Sequence, residues 1–177
     1  MATEKRSATQ HHIEHLVRRF FGAVCARSLR PSELEWVGEI LDPPIMVLWC
    51  DQRRWDQRHA YRVARRVSET QRERVVIAAA LTHDIGKSAS GLGPIGRSFA
   101  TVLGAVAGRS RRSRWRRGFF RKVRDYFDHP DIGAAMLESC GAPREVVEWA
   151  RIHQKQMPRP VLLNDSAVRA LIDADDD

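Results

Sequence analysis

Residues 71–84 read QRERVVIAAALTHD, a helix-length stretch that is apolar on nearly all sides from Val75 to Leu81 and then ends in histidine and aspartate. A helix without a polar face belongs in the interior of a fold. The two strongly solvated groups that close it, His83 and Asp84, must then follow it inside. A buried carboxylate is costly unless it is paired or bound to a metal. Ile85-Gly86 stops the helix, so both side chains can reach one ion although consecutive helical residues diverge by about 100°. The plain alternative is a helix C-terminus with a dipole-favoured histidine and a solvated aspartate. His83-Asp84 alone does not decide between the two.

The remainder of the 177 residues carries helical spacing, and no period-2 run bounded by turn signals stands out. Apolar positions predict a helix over 13–29. Ser32, with Glu35 three residues on, predicts a second helix opened by a capping box and ended by Pro43-Pro44. The apolar piece IMVLWC follows, then helices over 51–67 and 71–84. Gly86, Gly91, Gly93 and Pro94 predict a loop. Next come a helix striped with Ile95, Phe99, Val102, Leu103 and Val106, and a basic helix with Trp115, Phe119, Phe120, Val123 and Phe127 along one side. His129-Pro130 opens the next helix and Gly141 ends it; helices over 143–154 and 164–173 complete the chain. The expected fold class is all-α. A helical domain spans 45–177, preceded by a helical extension over 1–44 and carrying an apolar and basic helical insertion over 88–126.

Composition supports a packed core, since 43% of residues are apolar. No apolar run approaches the roughly 20 residues that span a bilayer. The start, MATEKRSATQHH, lacks the apolar region of a secretory signal. Cys25, Cys50 and Cys140 lie far apart without a CxxC pair, which argues for core packing in a cytoplasmic protein and against a disulfide framework or zinc ribbon.

The net charge of +8 is concentrated. Residues 109–124 hold nine Lys and Arg and no acid, leaving 21 basic against 22 acidic residues elsewhere. Within this run Trp115, Phe119, Phe120 and Val123 alternate in helical register with Arg116, Arg117, Arg121 and Lys122, the pattern of an interfacial helix on an anionic membrane, which would make the protein peripheral at the inner membrane face. A solvated face is the competing reading. Contact with nucleic acid or a polyphosphate substrate is the less favoured one.

The other histidines give His83-Asp84 a context. His59 lies on the preceding helix, His129 starts a later one, His153 ends another, and Asp175 follows the last. The order H…HD…H…H…D along an all-α chain, with DQRHAYRVARRV around His59, AALTHDIGK at 79–87, HPDIGAAML at 129–137, ARIHQ at 150–154 and LIDADDD at 171–177, resembles the HD-domain superfamily of metal-dependent phosphohydrolases. The resemblance covers about residues 45–177. It implies an HD-domain helical bundle in which His59, His83, Asp84 and Asp175 bind a first metal, with Asp173 and Asp176 as alternatives to Asp175. It implies that His129 and His153 bind a second, and that Asp84 bridges the two. Lys87 matches a lysine that in several branches lies close to the substrate phosphate. The implied activity is hydrolysis of a phosphate ester, with a phosphorylated small molecule or nucleotide as partner.

The donor chemistry is consistent with that. Imidazoles and carboxylates together suit Mn, Fe, Co, Ni or Zn, with Mg a further candidate, in one or two copies; too few oxygens are present for calcium. Such ions bring the pKa of bound water towards about 7 and polarise phosphoryl oxygens. No signature of a serine or cysteine nucleophile is visible. The alternative from another class is a catalytically silent adaptor or sensor that binds an anionic membrane or nucleic acid through 109–124. His11, His12 and His15 form an i,i+4 pair near the chain start and read as solvated residues.

Overall fold

The computed structural model describes residues 27–112, 114–155 and 162–176, and for 104–112 the backbone alone. His11, His12, His15, Cys25 and nearly all of the 13–29 helix lie outside the described residues, as do the side chains of Val106, Arg109, Arg111 and Arg112. Within them the protein has ten helices and no strand: α1 (Pro31–Ile40), α2 (Pro43–Cys50), α3 (Arg54–Thr70), α4 (Arg74–Thr82), α5 (Lys87–Ser90), α6 (Pro94–Arg112), α7 (Gly118–Phe127), α8 (His129–Ser139), α9 (Arg144–Ile152) and α10 (Asp165–Asp176).

Helix α4 is the axis of the fold, as its composition requires. Every residue from Val76 to Thr82 is buried, and α3, α9, α1 and α10 pack around it. The last turn of an α-helix leaves carbonyls without an intrahelical partner. Here the buried indole of Trp49 in α2 donates to the Leu81 carbonyl at 3.0 Å. Val37, Leu41 and Ile45 join the same core, so residues 31–44 pack with the main body.

Several boundaries differ from the sequence expectation, each for a local reason. Pro31, not Ser32, leads the first helix, and the reciprocal contact comes from Glu33, whose carboxylate accepts the Arg30 backbone N–H at 2.6 Å. Pro43 and Pro44 open α2 as well as follow α1, because proline fits the first helical turn where no N–H is needed. IMVLWC is thereby helical. Residues 27–29 are not part of a helix. The loop at 86–94 contains the short helix α5. The basic run is not one helix: α6 ends at Arg112, Trp115 and Arg116 lie outside any helix, and Gly118, with φ +58°, begins α7. Cys50 is exposed and Cys140 half-buried, so Cys50 does no core packing. Asp175 lies within the last turn of α10 and not beyond it.

Two contacts fix the parts that matter for the site. The turn after α4 meets the start of α8 backbone to backbone. A Cβ on Gly86 would stand 2.1 Å from the His129 carbonyl oxygen and 2.6 Å from the Gly133 nitrogen, and one on Gly133 would stand 3.0 Å from the Gly86 nitrogen. Gly86 cannot carry a Cβ in this approach, and one on Gly133 would require the facing turn to give by a few tenths of an ångström. Further out, α5, α6 and α7 enclose a small second core of Leu92, Ala100 and Val123. It is tied to α3 by a forked ion pair in which Arg97 Nη1 and Nη2 donate to the two oxygens of Asp56 at 2.5 and 2.8 Å.

Asp56 is only 5% exposed, so removing its partner strands a buried charge. Arg97→Ala is expected to destabilise the protein by about 3–5 kcal/mol in chemical denaturation. A loss under about 1 kcal/mol would show that Asp56 is solvated without Arg97.

Candidate metal centre

Five segments of the fold bring six side chains to one place. His59 comes from the middle of α3, His83 and Asp84 from the turn after α4, His129 from the first position of α8, His153 from the end of α9 and Asp175 from the last turn of α10. They form two groups that could each hold a metal ion: His59, His83 and Asp175 in one, Asp84, His129 and His153 in the other.

The Asp84 carboxylate lies between the groups. Its Oδ2 faces His83 Nε2 at 3.3 Å and His59 Nε2 at 3.9 Å. Its Oδ1 faces His129 Nε2 at 3.3 Å and His153 Nε2 at 3.4 Å. Asp175 Oδ1 closes the first group, 3.0 Å from His59 Nε2 and 3.5 Å from His83 Nε2. Two donors each about 2.1 Å from one ion, at octahedral or tetrahedral angles, lie about 3.0–3.4 Å apart. Five of the six observed spacings lie between 3.0 and 3.5 Å, and the His59–Asp84 distance of 3.9 Å is longer.

Three of the histidines are fixed in one orientation by the same device. His83, His129 and His153 each follow the end of a helix, where carbonyls lack partners. The Nδ1–H of each donates to the carbonyl three residues earlier: Ala80 at 2.8 Å, Tyr126 at 2.6 Å and Ala150 at 2.9 Å. In the neutral ring this leaves the Nε2 lone pair pointing into the site. Those carbonyls were not singled out from sequence. The signal was available, since a histidine just past a helix end can reach back three residues to a free carbonyl.

The consequence is a cluster of ring nitrogens and carboxylate oxygens facing one another. Asp84 Oδ1 and the Nε2 atoms of His83, His129 and His153 are buried and have no hydrogen-bond partner. His83, Asp84 and His129 are 2%, 3% and 1% exposed, which leaves solvent little access to them. A proton relieves one such contact; a cation bound by several of these atoms relieves them together.

The electrostatics follow from this arrangement. Burial opposes charge on His83, but the carboxylates of Asp84 and Asp175 outweigh it and raise its pKa to about 10. Burial likewise pushes the Asp84 carboxyl up, and Lys87 and His83 overcome it, holding the group well below the usual carboxylate range. Asp175 is held low against burial by His83 and His59. Burial dominates at His59 and His129, lowering both despite the neighbouring carboxylates. Lys87 is buried, with its ammonium on Asp84 Oδ2.

Asp173 and Asp176 are exposed. Asp173 lines a shallow groove with Thr70, Gln71 and Ser166, so Asp175 is the acidic residue of this tail that reaches the histidines. Arg116, Arg117, Arg121 and Lys122 are exposed around the start of α7 and belong to neither group. No known protein family, curated protein or solved structure matches the chain.

The raised pKa of His83 gives its share of stability a sign. In metal-free protein that share is complete below about pH 6.5 and is lost as pH climbs through about 10. A metal must displace this proton, so Mn or Zn affinity is expected to rise up to about tenfold per pH unit between about pH 7 and 9, while the metal-free melting temperature falls. Calorimetric titration and thermal melts, with His83→Gln as reference, check both. Affinity independent of pH would contradict a proton held at His83.

Proposed function

We propose that this chain is a metal-dependent phosphohydrolase of the HD type, acting on a phosphate ester, with nucleotides the first substrates to try. The observation that carries the reading is the Asp84 carboxylate set between two histidine-containing groups, with its Oδ1 and the Nε2 atoms of His83, His129 and His153 buried and without a hydrogen-bond partner. The ordered H…HD…H…H…D pattern supports it. His59, His83, Asp84 and Asp175 would hold one divalent transition metal, and His129 and His153 with the other oxygen of Asp84 would hold a second.

When bound, such ions supply Lewis acidity that activates water near neutral pH and polarises a phosphoryl oxygen. The chain's own groups prepare the site for that chemistry. The carbonyls of Ala80, Tyr126 and Ala150 keep three rings in the orientation that offers Nε2. Asp84 stays ionised in spite of its burial. Lys87, already on Asp84, is placed to offset negative charge on a phosphate drawn to the same carboxylate edge. His59 and Asp175, with side chains 24% and 34% exposed, form the rim that faces solvent and set the side from which a substrate enters.

The test is a phosphoester panel, nucleotides included, assayed with Mn, Fe, Co, Ni, Zn and Mg. At least one substrate is expected to be hydrolysed, with Asp84→Asn and His129→Ala each lowering the rate by about 100-fold or more and Lys87→Met lowering kcat more than it raises KM. Absence of turnover across the panel with every metal would overturn the proposal.

A further inference from the structure

We propose that the outer face of α6 and α7 docks this protein on an anionic lipid bilayer. The two helices have an inner face and an outer one. On the inner face Ala100 and Val123 pack with Leu92, and Leu103, Tyr126, Phe127 and the half-buried Trp115 close around them. On the outer face Ile95, Phe99 and Val102 follow one another at helical spacing and are 73%, 61% and 67% exposed. Phe99 touches Phe119 of α7 (ring centroids 5.9 Å apart), Phe119 neighbours Phe120, and Phe120 packs on Trp115 at 5.2 Å. The result is one continuous apolar ridge of Ile95, Phe99, Val102, Phe119 and Phe120 across two helices, backed at its edge by the half-buried Trp115, of a kind that soluble surfaces rarely leave bare.

Charge decides what covers it. Residues 85–124 contain no Asp or Glu. Arg114, Arg116, Arg117, Arg121 and Lys122 are exposed on and before α7, beside the ridge. A second copy of the chain seated symmetrically on this face would bring the same cations together. Nucleic acid would meet the cations but has no use for Ile95 and Val102. A bilayer with anionic headgroups satisfies both halves: aliphatic and aromatic side chains enter the acyl boundary while the arginines and Lys122 meet phosphates. Each basic side chain at such a surface is worth about fivefold in partitioning. Among the described residues no helix is long and apolar enough to cross a membrane, so the contact lies on the surface.

The experiment is flotation of the full chain with phosphatidylcholine vesicles, with and without about one-third phosphatidylglycerol, at about 0.1 and 0.5 M salt, where the screening length shortens from about 10 Å to about 4 Å. Binding is expected for the anionic vesicles alone, weakening at the higher salt. Phe99→Ser combined with Phe119→Ser and Phe120→Ser is expected to lower it more than tenfold, as is replacement of Arg116, Arg117, Arg121 and Lys122 by Gln. All these positions are exposed, and unchanged circular dichroism confirms the fold. Three results would overturn the proposal: no flotation with anionic vesicles, equal flotation with neutral ones, or undiminished binding by the triple-serine variant. A dimer, or a complex with a short DNA duplex, that the serine substitutions abolish while flotation persists would assign the ridge to that partner instead.

Discussion

The Asp84 carboxylate is the constraint around which the rest of the protein is arranged. It sits just past the end of α4, whose residues from Val76 to Thr82 are all buried, where an unpaired charge is poorly tolerated. Its Oδ2 is faced by the imidazoles of the adjacent His83 and of His59, and its Oδ1 by those of His129 and His153 from two later segments. Helices α3, α8 and α9 each contribute one of these histidines, and α10 adds Asp175 beyond them. An interior built of carbon side chains has no need of such a cluster. Its two halves, His59, His83 and Asp175 on one side and Asp84, His129 and His153 on the other, are each arranged as a group that could hold a metal ion.

The fold reaches this geometry by simple means. Helix ends supply free carbonyls, and a histidine placed just past each end uses one of them to fix its ring. The same free carbonyls that would make a C-terminal histidine merely comfortable here determine which nitrogen it offers. The glycine pair Gly86 and Gly133 then lets the turn after α4 press against the start of α8, bringing the His129 ring to the Asp84 oxygen. A methyl group at either position would push these two backbones apart.

Much of this was legible in the sequence. The all-round apolar character of 75–81 placed α4 at the centre, and the order of His59, His83-Asp84, His129, His153 and Asp175 identified the side chains that converge. What was not legible depended on three-dimensional contact. Gly86 reads as a helix stop; its close approach to Gly133 exists only once α8 is docked. Asp175 reads as one of several acids in a tail, and only the continuation of α10 through 176 selects it over Asp173 and Asp176. Arg97 and Asp56, far apart in sequence and on different helices, give no local sign that they pair. The basic run looks like one amphipathic helix, because residue spacing does not reveal that the chain leaves helical geometry before Gly118.

The α6–α7 ridge and the histidine cluster are separate features on one scaffold, and the cluster is the one on which the proposed chemistry stands. Its most direct test is anomalous diffraction at metal absorption edges on crystals of the purified protein, paired with elemental analysis. A divalent transition metal is expected between the imidazoles of His59 and His83 and the carboxylates of Asp84 and Asp175, with a second beside His129 and His153 at full loading. An ion-free cluster after saturation with Mn, Fe, Co, Ni and Zn, its imidazoles instead protonated onto the two carboxylates, would contradict the account.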